Sequence, residues 1–400
     1  MKKVLYSSML LIATAFTSVQ VGCDGDPELP EPIDTTTTVN PPPPVDIEQL
    51  KMNELQAVGS HNSYRIKTHA PLLTYLIGLP SPPPGLEPEE LDYTHETLPT
   101  QFDSFNVRSI EIDIYYDPAG GAYYERQGNT LISEPTSSGE PDLLNPGMKV
   151  LHIVDVDYLT HHLTFVSSLT TIKNWSDANP NHLPLIVIVE AKEQSVFTTA
   201  ESFTAAGFDE LDAELASVFG PSLAQVVTPD NFKGTYGTPN DAAVAGAWPT
   251  LAESRGTIYF VLMLSTSQKA IYLNGHPALA GRNMFLFGDS GNAETAFIKI
   301  DDPTSTTNQE KIMNLVQAGY MVRTRCDAGT VEARNGDNSK MLMAFSSGAQ
   351  ILSTDYYRPD ARALTDTAWS DYSVRLPNND LARLNPVNGP AKYIGSIINE

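Results

Sequence analysis

Apolar positions along the chain fall into short runs that alternate with longer stretches of helical spacing. Eight runs read as strands: Leu55–Val58, Val107–Tyr115, Lys149–Val154, Leu185–Val189, Thr257–Leu264, Phe297–Ile300, Met321–Arg325 and Gln350–Ser353, with Met284–Phe287 as a surplus ninth. Between them, Leu163, Val166, Leu169, Ile172 and Trp175 recur every three residues, and Phe208–Phe219 and Gln309–Gln317 are spaced similarly. That is the spacing of helices that bury one face. Strands alternating with helices predict the α/β class. Eight such units without an internal repeat predict a single (β/α)8 barrel of the TIM type over residues 51–400. An open doubly wound sheet is the rival, but no G-x-G-x-x-G or P-loop follows an early strand, which weakens it. The proline-rich stretch 78–99 and the Gly/Ser/Pro-rich stretch 117–147 read as long loops after strands, placed to shape the rim of a site.

The second strand has the most telling pattern. In Arg108-Ser-Ile-Glu-Ile-Asp-Ile-Tyr115, three isoleucines alternate with Ser109, Glu111 and Asp113. Glu111 and Asp113 are i and i+2, so both carboxylates leave one face of the strand. Two like charges side by side repel unless a cation sits between them, and a hard divalent ion bound through oxygen is the economical answer. A merely solvated polar face is the alternative.

Composition narrows the setting. The 400 residues, 41% apolar, suffice for one large domain or two ordinary ones. The 25 Lys/Arg against 48 Asp/Glu leave a net charge of −23, which excludes a nucleic-acid partner and unaided docking on an anionic membrane. It suits an exported protein that binds cations locally. Residues 1–22 read as an export signal: Lys2 and Lys3 precede a largely apolar run from Val4 to Val19, too short and too interrupted for a good transmembrane helix. Val21-Gly22-Cys23 then looks like the end of a bacterial lipoprotein signal, although Gln20 stands where the usual pattern has an aliphatic residue. Lipidation of Cys23 and attachment to a cell-envelope membrane are expected, with ordinary cleavage and secretion as the alternative. Residues 23–50, with four consecutive threonines and Pro41–Pro44, cannot form a core and read as an extended spacer. The other cysteine is Cys326; a disulfide from it to Cys23 would tie a spacer to the core and is not expected. A monomer is expected.

Chemistry-bearing residues recur where the early strands end. Gly59-Ser-His61-Asn62-Ser-Tyr64 follows the first strand, Glu111 and Asp113 lie in the second, His152 sits in Met148-Lys-Val-Leu-His152, and the fourth run leads into Glu190-Ala-Lys192-Glu193. In a β/α barrel such ends converge on one mouth, where active sites lie. Alone, His152 reads as a core histidine, Glu190 as a strand-terminating charge and His61 as a loop hydrogen-bonder. Four in register read as a site.

Together these motifs resemble the phosphatidylinositol-specific phospholipase C superfamily, and within it the bacterial calcium-dependent phosphoinositide phospholipase C family. Ala296-Phe-Ile-Lys299 with Asp302-Pro303, Val322-Arg-Thr-Arg-Cys-Asp327, Ser347–Tyr356 and Arg383-Leu-Asn-Pro-Val387 agree with that family's blocks in order, and the resemblance runs over residues 52–390. The combination is specific; no single motif is. The resemblance implies a TIM barrel, Ca2+ dependence and cleavage of a glycerophosphoinositol ester in which the inositol 2-hydroxyl attacks phosphorus. It implies His61 and His152 as the catalytic pair, and Asn62, Glu111, Asp113 and Glu190 as the calcium ligands. It implies Lys192 and Arg323 or Arg325 as contacts to phosphate or inositol. Cys326 stands where a small residue is expected, and Leu384 where many relatives have cysteine, which would remove a disulfide. By analogy His152 is the acid and His61 stabilises the transition state, with the general base either His61 or a metal carboxylate.

The donor set agrees with this independently: oxygens from an amide and three carboxylates suit Ca2+ rather than Zn2+, and Lys192 brings the loaded site near neutrality. A glycerophosphodiester phosphodiesterase is the enzyme rival, but its first histidine lies in a His-Arg-Gly turn where this chain has His61-Asn62-Ser63. A glycosidase needs two carboxylates facing each other about 5–9 Å apart, which a same-strand pair flanked by histidines does not resemble. An inactive, surface-anchored binding lipoprotein is the non-enzyme rival, and the retained histidines argue against it.

Overall fold

The computed structural model describes residues 46–83 and 85–400. The expected export signal, Cys23 and most of the spacer lie outside the described residues. Residues 46–50, which composition assigns to the spacer, instead pack on the barrel: Leu50 is fully buried and its carbonyl accepts from Leu251 N–H at 2.7 Å.

Eight parallel strands form the barrel: β1 (Leu55–Ser60), β2 (Ser109–Tyr115), β3 (Leu185–Ala191), β4 (Ile258–Met263), β5 (Phe285–Leu286), β6 (Phe297–Lys299), β7 (Met321–Arg325) and β8 (Ile351–Thr354). They follow one another around the sheet as β5-β4-β3-β2-β1-β8-β7-β6. A parallel bridge from Phe287 to Phe297 joins the two ends. The fold is the expected TIM-type barrel, with two exchanges of membership. Met284–Phe287, counted as surplus, supplies β5. Lys149–Val154 supplies no barrel strand; Lys149–Val150 pairs antiparallel with Ile114 and Tyr115. The reason is that β1 pairs with β2 only at Ser109 while β3 follows it to Ile114, so the other edge of β2 stays open at Ile114 and Tyr115 for the returning chain.

Helices cover the outside. Phe165–Ala178 is capped by Thr164, whose side chain accepts from Ser167 N–H, and buries Phe165, Leu169, Ile172 and Trp175; Val166, in phase by the three-residue count, is exposed. Ala205–Phe219, capped by Thr204, buries Phe208, Leu211, Leu215 and Phe219, the 3.6-residue spacing of a helix on a sheet. Ile110, Ile112 and Ile114 of β2 belong to the same apolar cluster as these helices. Its alternate residues Glu111 and Asp113 therefore face the lumen. Arg323 on β7 confirms this, for it reaches Glu111 at 2.7 Å although two strands separate them in the sheet. β1 can press close to β2 because Gly59 lacks a side chain: a Cβ there would lie 2.7 Å from that of Ser109.

Candidate active site

Backbone hydrogen bonds fix the loop after β1 to β2. Ser63 N–H donates to the Glu111 carbonyl, and Glu111 N–H donates to Ser63 Oγ, both at 2.8 Å. Just before Ser63, Asn62 turns through a left-handed conformation, φ 49°, which asparagine tolerates better than most residues. This sets a buried amide beside the carboxylates of β2. On the other side, parallel register puts Glu190 next to Asp113.

Glu111, Asp113 and Glu190 offer oxygens that all lie within 4.8 Å of one another. Two further observations mark this as a cation site. Both Asp113 carboxylate oxygens and the Asn62 amide oxygen are buried without a hydrogen-bond partner among the described residues. Burial, reinforced by Glu190 and Glu111, pushes the Asp113 carboxyl well above the usual range despite Lys192 nearby. Buried acceptors without donors are costly, and all of these atoms are oxygens, the donor set of a hard cation. The residues therefore fit Ca2+.

Charges on the walls hold this cluster together. Lys192 Nζ lies 3.4 Å from Asp113 and 3.5 Å from Glu190. Burial opposes its charge, but the two carboxylates outweigh burial and raise its pKa. Burial also works against the charge of Glu111, yet His61, Arg323 and Arg325 prevail and hold its pKa below the usual value.

Each histidine stands against a carboxylate. His61 Nδ1 donates to Asp355 Oδ1 at 2.8 Å, and its Nε2 lies 3.4 Å from Glu111 Oε1. His152 Nδ1 donates to Asp157 Oδ2 at 2.7 Å. Burial lowers the His152 pKa although Asp157 works to raise it. Asp157 is also held by Arg65, 2.9 Å away, and despite its burial stays well below the usual carboxylate range. His61, Asn62, His152, Arg325, Tyr93 and Asp355 all line one cleft of about 230 Å3 at the mouth.

Of the expected substrate contacts, Arg325 alone lines this cleft, bonded to Asp355 at 2.6 Å. Arg323 is 2% exposed and bonds to Glu111, Asp301 and Ser353. These bonds use its two terminal nitrogens, and its Nε has no partner among the described residues. His152 reaches the mouth from the antiparallel rim segment and not from a barrel strand end. Sequence reasoning missed Asp355 and Asp157. Asp355 follows β8 directly and obeys the same strand-end rule that located Glu190. Asp157 lies in the turn after His152 and carries no periodic signal. Cys326 is a buried thiol, and Leu384 pairs with Leu55 across an antiparallel bridge; neither touches the site.

The chain matches the model of the family described as "Phosphoinositide phospholipase C, Ca2+-dependent" over residues 50–386. No curated protein matches it. Among solved structures it is similar to a calcium-dependent phosphoinositol-specific phospholipase C from a Pseudomonas species, at 16% identity over 85% of this chain and 98% of that one, with a TM-score of 0.49. It is similar to the Ca2+-dependent phosphatidylinositol-specific phospholipase C of Streptomyces antibioticus, at 16% identity over 77% and 95% of the two chains and a TM-score of 0.48. A third is the phosphatidylinositol-specific phospholipase C of Listeria monocytogenes, at 13% identity over 76% and 89% and a TM-score of 0.42. The family match runs through all eight barrel strands and through every residue placed at the mouth, so the chain belongs to the calcium-dependent phosphoinositide phospholipase C family and is a phosphoric diester hydrolase with Ca2+ as cofactor.

Proposed function

We propose that this protein cleaves phosphatidylinositol-type lipids to diacylglycerol and an inositol cyclic phosphate. The observation that carries this reading is the pair of carboxylate-held histidines in one cleft beside an all-oxygen cation site. Asn62, Glu111, Asp113 and Glu190 would hold Ca2+, which when bound would supply positive charge to the phosphate and lower the pKa of the attacking hydroxyl.

The chain's own groups do the rest. Asp157 fixes the His152 ring through Nδ1 and leaves Nε2 for the substrate. In its charged form, which Asp157 supports, His152 gives its Nε2 proton to the departing glycerol oxygen as the phosphorus–oxygen bond breaks and is left neutral. Asp355 holds the opposite ring, and the proton of the inositol 2-hydroxyl passes to the His61–Glu111 pair as the new ester bond closes the ring. Arg325 and Lys192 supply positive charge to the phosphate.

A lipid panel assayed with and without chelator tests this. Release of inositol phosphate from phosphatidylinositol only in the presence of calcium is the expected result. Better turnover of glycerophosphocholine would place the chain with the glycerophosphodiester phosphodiesterases instead.

We infer further that residues 1–22 direct export, that Cys23 carries lipid, that the segment before the barrel is a spacer, and that the enzyme works as a monomer at a bacterial envelope. The support is the charged and apolar order of the N-terminus and the proline and threonine that follow it. Labelling with a radioactive fatty acid, present in the wild type and absent in Cys23→Ala, tests the anchor; sedimentation tests the monomer.

A further inference from the structure

His152 follows the antiparallel rim segment Lys149–Val150, so no barrel strand fixes it relative to His61. The rim chain is tied instead to the loop after β1. Ile66 N–H donates to the Leu159 carbonyl at 3.1 Å and His161 N–H to the Tyr64 carbonyl at 2.8 Å. Between these bonds Arg65 and Thr160 form an antiparallel bridge. The side chain of Arg65 crosses this seam to Asp157, the carboxylate behind His152.

Arg65 is fully buried, and all three of its guanidinium nitrogens donate. Nε donates to Asp157 Oδ2. Nη2 donates to Asp157 Oδ1 at 2.9 Å and to Thr68 Oγ1 at 3.1 Å, and Nη1 donates to the Tyr93 carbonyl at 3.0 Å. The Tyr93 ring lies against the guanidinium, its centroid 4.2 Å away. Thr68 Oγ1 passes its own proton to Asp157 Oδ1. Asp157 Oδ2, which takes one arm of the fork, is also the atom that accepts from His152 Nδ1 at 2.7 Å. One oxygen thus joins arginine to imidazole. The last torsion of a carboxylate is soft, and a bidentate fork fixes its plane. The plane of Asp157 in turn sets where the imidazole aims Nε2. Against burial, Arg65 also keeps Asp157 charged, which a lone buried carboxylate could not sustain cheaply.

We propose that Arg65 is a positioning residue for the acid, acting through Asp157 to aim His152 and locking the rim chain to the loop that carries His61 and Asn62. The proposal rests on the phospholipase reading above. The test measures kcat and KM on phosphatidylinositol at saturating calcium for Arg65→Lys and Thr68→Val, each in the wild-type chain and in His152→Ala. Lysine keeps the charge and loses the fork; valine removes the hydroxyl that donates to Asp157. Arg65→Lys is expected to lower kcat about 10- to 100-fold and Thr68→Val about 5- to 10-fold, with KM and the calcium Kd near wild type. In His152→Ala neither change should lower kcat further, because a residue that acts through an absent group has nothing left to act on. Losses that recur undiminished without His152, an unchanged kcat, or a calcium Kd that weakens in parallel would overturn the assignment. If Arg65→Lys does not fold, Thr68→Val decides by the same criteria. If the wild type releases no inositol phosphate, the phospholipase reading fails. Proton NMR of the His152 Nδ1–H, identified by its loss in His152→Ala, then decides the positioning role alone: a resonance displaced in the variants supports it, and one that is unmoved or absent from the wild type overturns it.

Discussion

The two sides of the barrel lumen are built on opposite principles. Around β4, β5 and β6 the interior is aromatic: Tyr259, Phe285 and Phe297 stack with ring centroids 5.0–6.3 Å apart, backed by Trp248 at 5.4 Å from Phe297. Around β1, β2, β7 and β8 it is ionic, with Glu111, Asp113, Arg323 and Arg325 projecting from the strands into the interior. Aromatic burial supplies stability directly. Buried ion pairs at best roughly offset their desolvation, and a pair that loses one partner is strongly destabilising. The ionic side is therefore kept for chemistry, and the aromatic side carries the fold around it.

The largest effect should come from the ionic side and leave the fold alone. His152→Ala removes the acid, and general acid catalysis is worth about 10²–10⁴-fold; turnover of phosphatidylinositol should fall by about 10³-fold or more, while the calcium Kd and Tm stay near wild type. Unchanged turnover would remove His152 from the mechanism. The aromatic side should respond in the opposite way. Phe297→Ala is expected to cost about 3–5 kcal/mol of stability, read by denaturant unfolding, with calcium affinity of the folded protein little changed. A smaller cost would mean that the lumen repacks readily.

Asp113→Asn joins the two behaviours. It removes one of three carboxylates from the cation site, and calcium affinity should drop about 100-fold, at the upper end of what loss of a supporting partner costs. It also removes a charge that burial and the neighbouring carboxylates disfavour, while Glu190 stays beside Lys192, so the calcium-free protein should melt higher than the calcium-free wild type. Calcium stabilises the wild type by mass action, and chelation should narrow or invert the difference in Tm between the two. A variant that melts lower in chelator would show that Asp113 is satisfied in the metal-free fold.

The sequence made the same division partly visible. The alternation of Ile110, Ile112 and Ile114 with Glu111 and Asp113 is legible because a strand places i and i+2 on one face, and the structure puts that face in the lumen. Asn62 and Glu190 were legible as strand-end residues. The aromatic side is less legible: Met284–Phe287 reads as surplus, because a strand reduced to Phe285–Leu286 is too short for alternation to register. His152 was legible as a residue but not by its route, since an apolar run looks the same whether it enters a barrel or pairs antiparallel at the rim. The carboxylates behind the histidines were not read. His61 and Asp355 are joined across 294 residues, and no local pattern records such a pairing. The bond from Arg323 to Glu111 is invisible for the same reason, because only the closed barrel brings the two together.

The smallest expected effect lies where a helix meets the rim beside the ionic side. Glu214, in the helix Ala205–Phe219, accepts from Met148 N–H at 2.8 Å, and its other oxygen is buried without a partner among the described residues. Burial raises its pKa from 4.5 to about 7, against the opposing pull of that hydrogen bond and of Lys149. The folded chain therefore holds this proton more tightly than the unfolded chain. The contribution of Glu214 to stability is full below pH 4.5, falls as pH rises from 4.5 to about 7, and changes no further above that. Glu214→Gln keeps an acceptor for Met148 and removes the charge. At pH 8 it should be more stable than the wild type by about 1–2 kcal/mol, a value reduced for the partial exposure of the side chain, and at pH 4 the two should coincide. Urea unfolding at the two pH values measures this. Parallel stability profiles for the two proteins would show that Glu214 ionises freely and that the rim, like the rest of the ionic side, has found a partner for its charge.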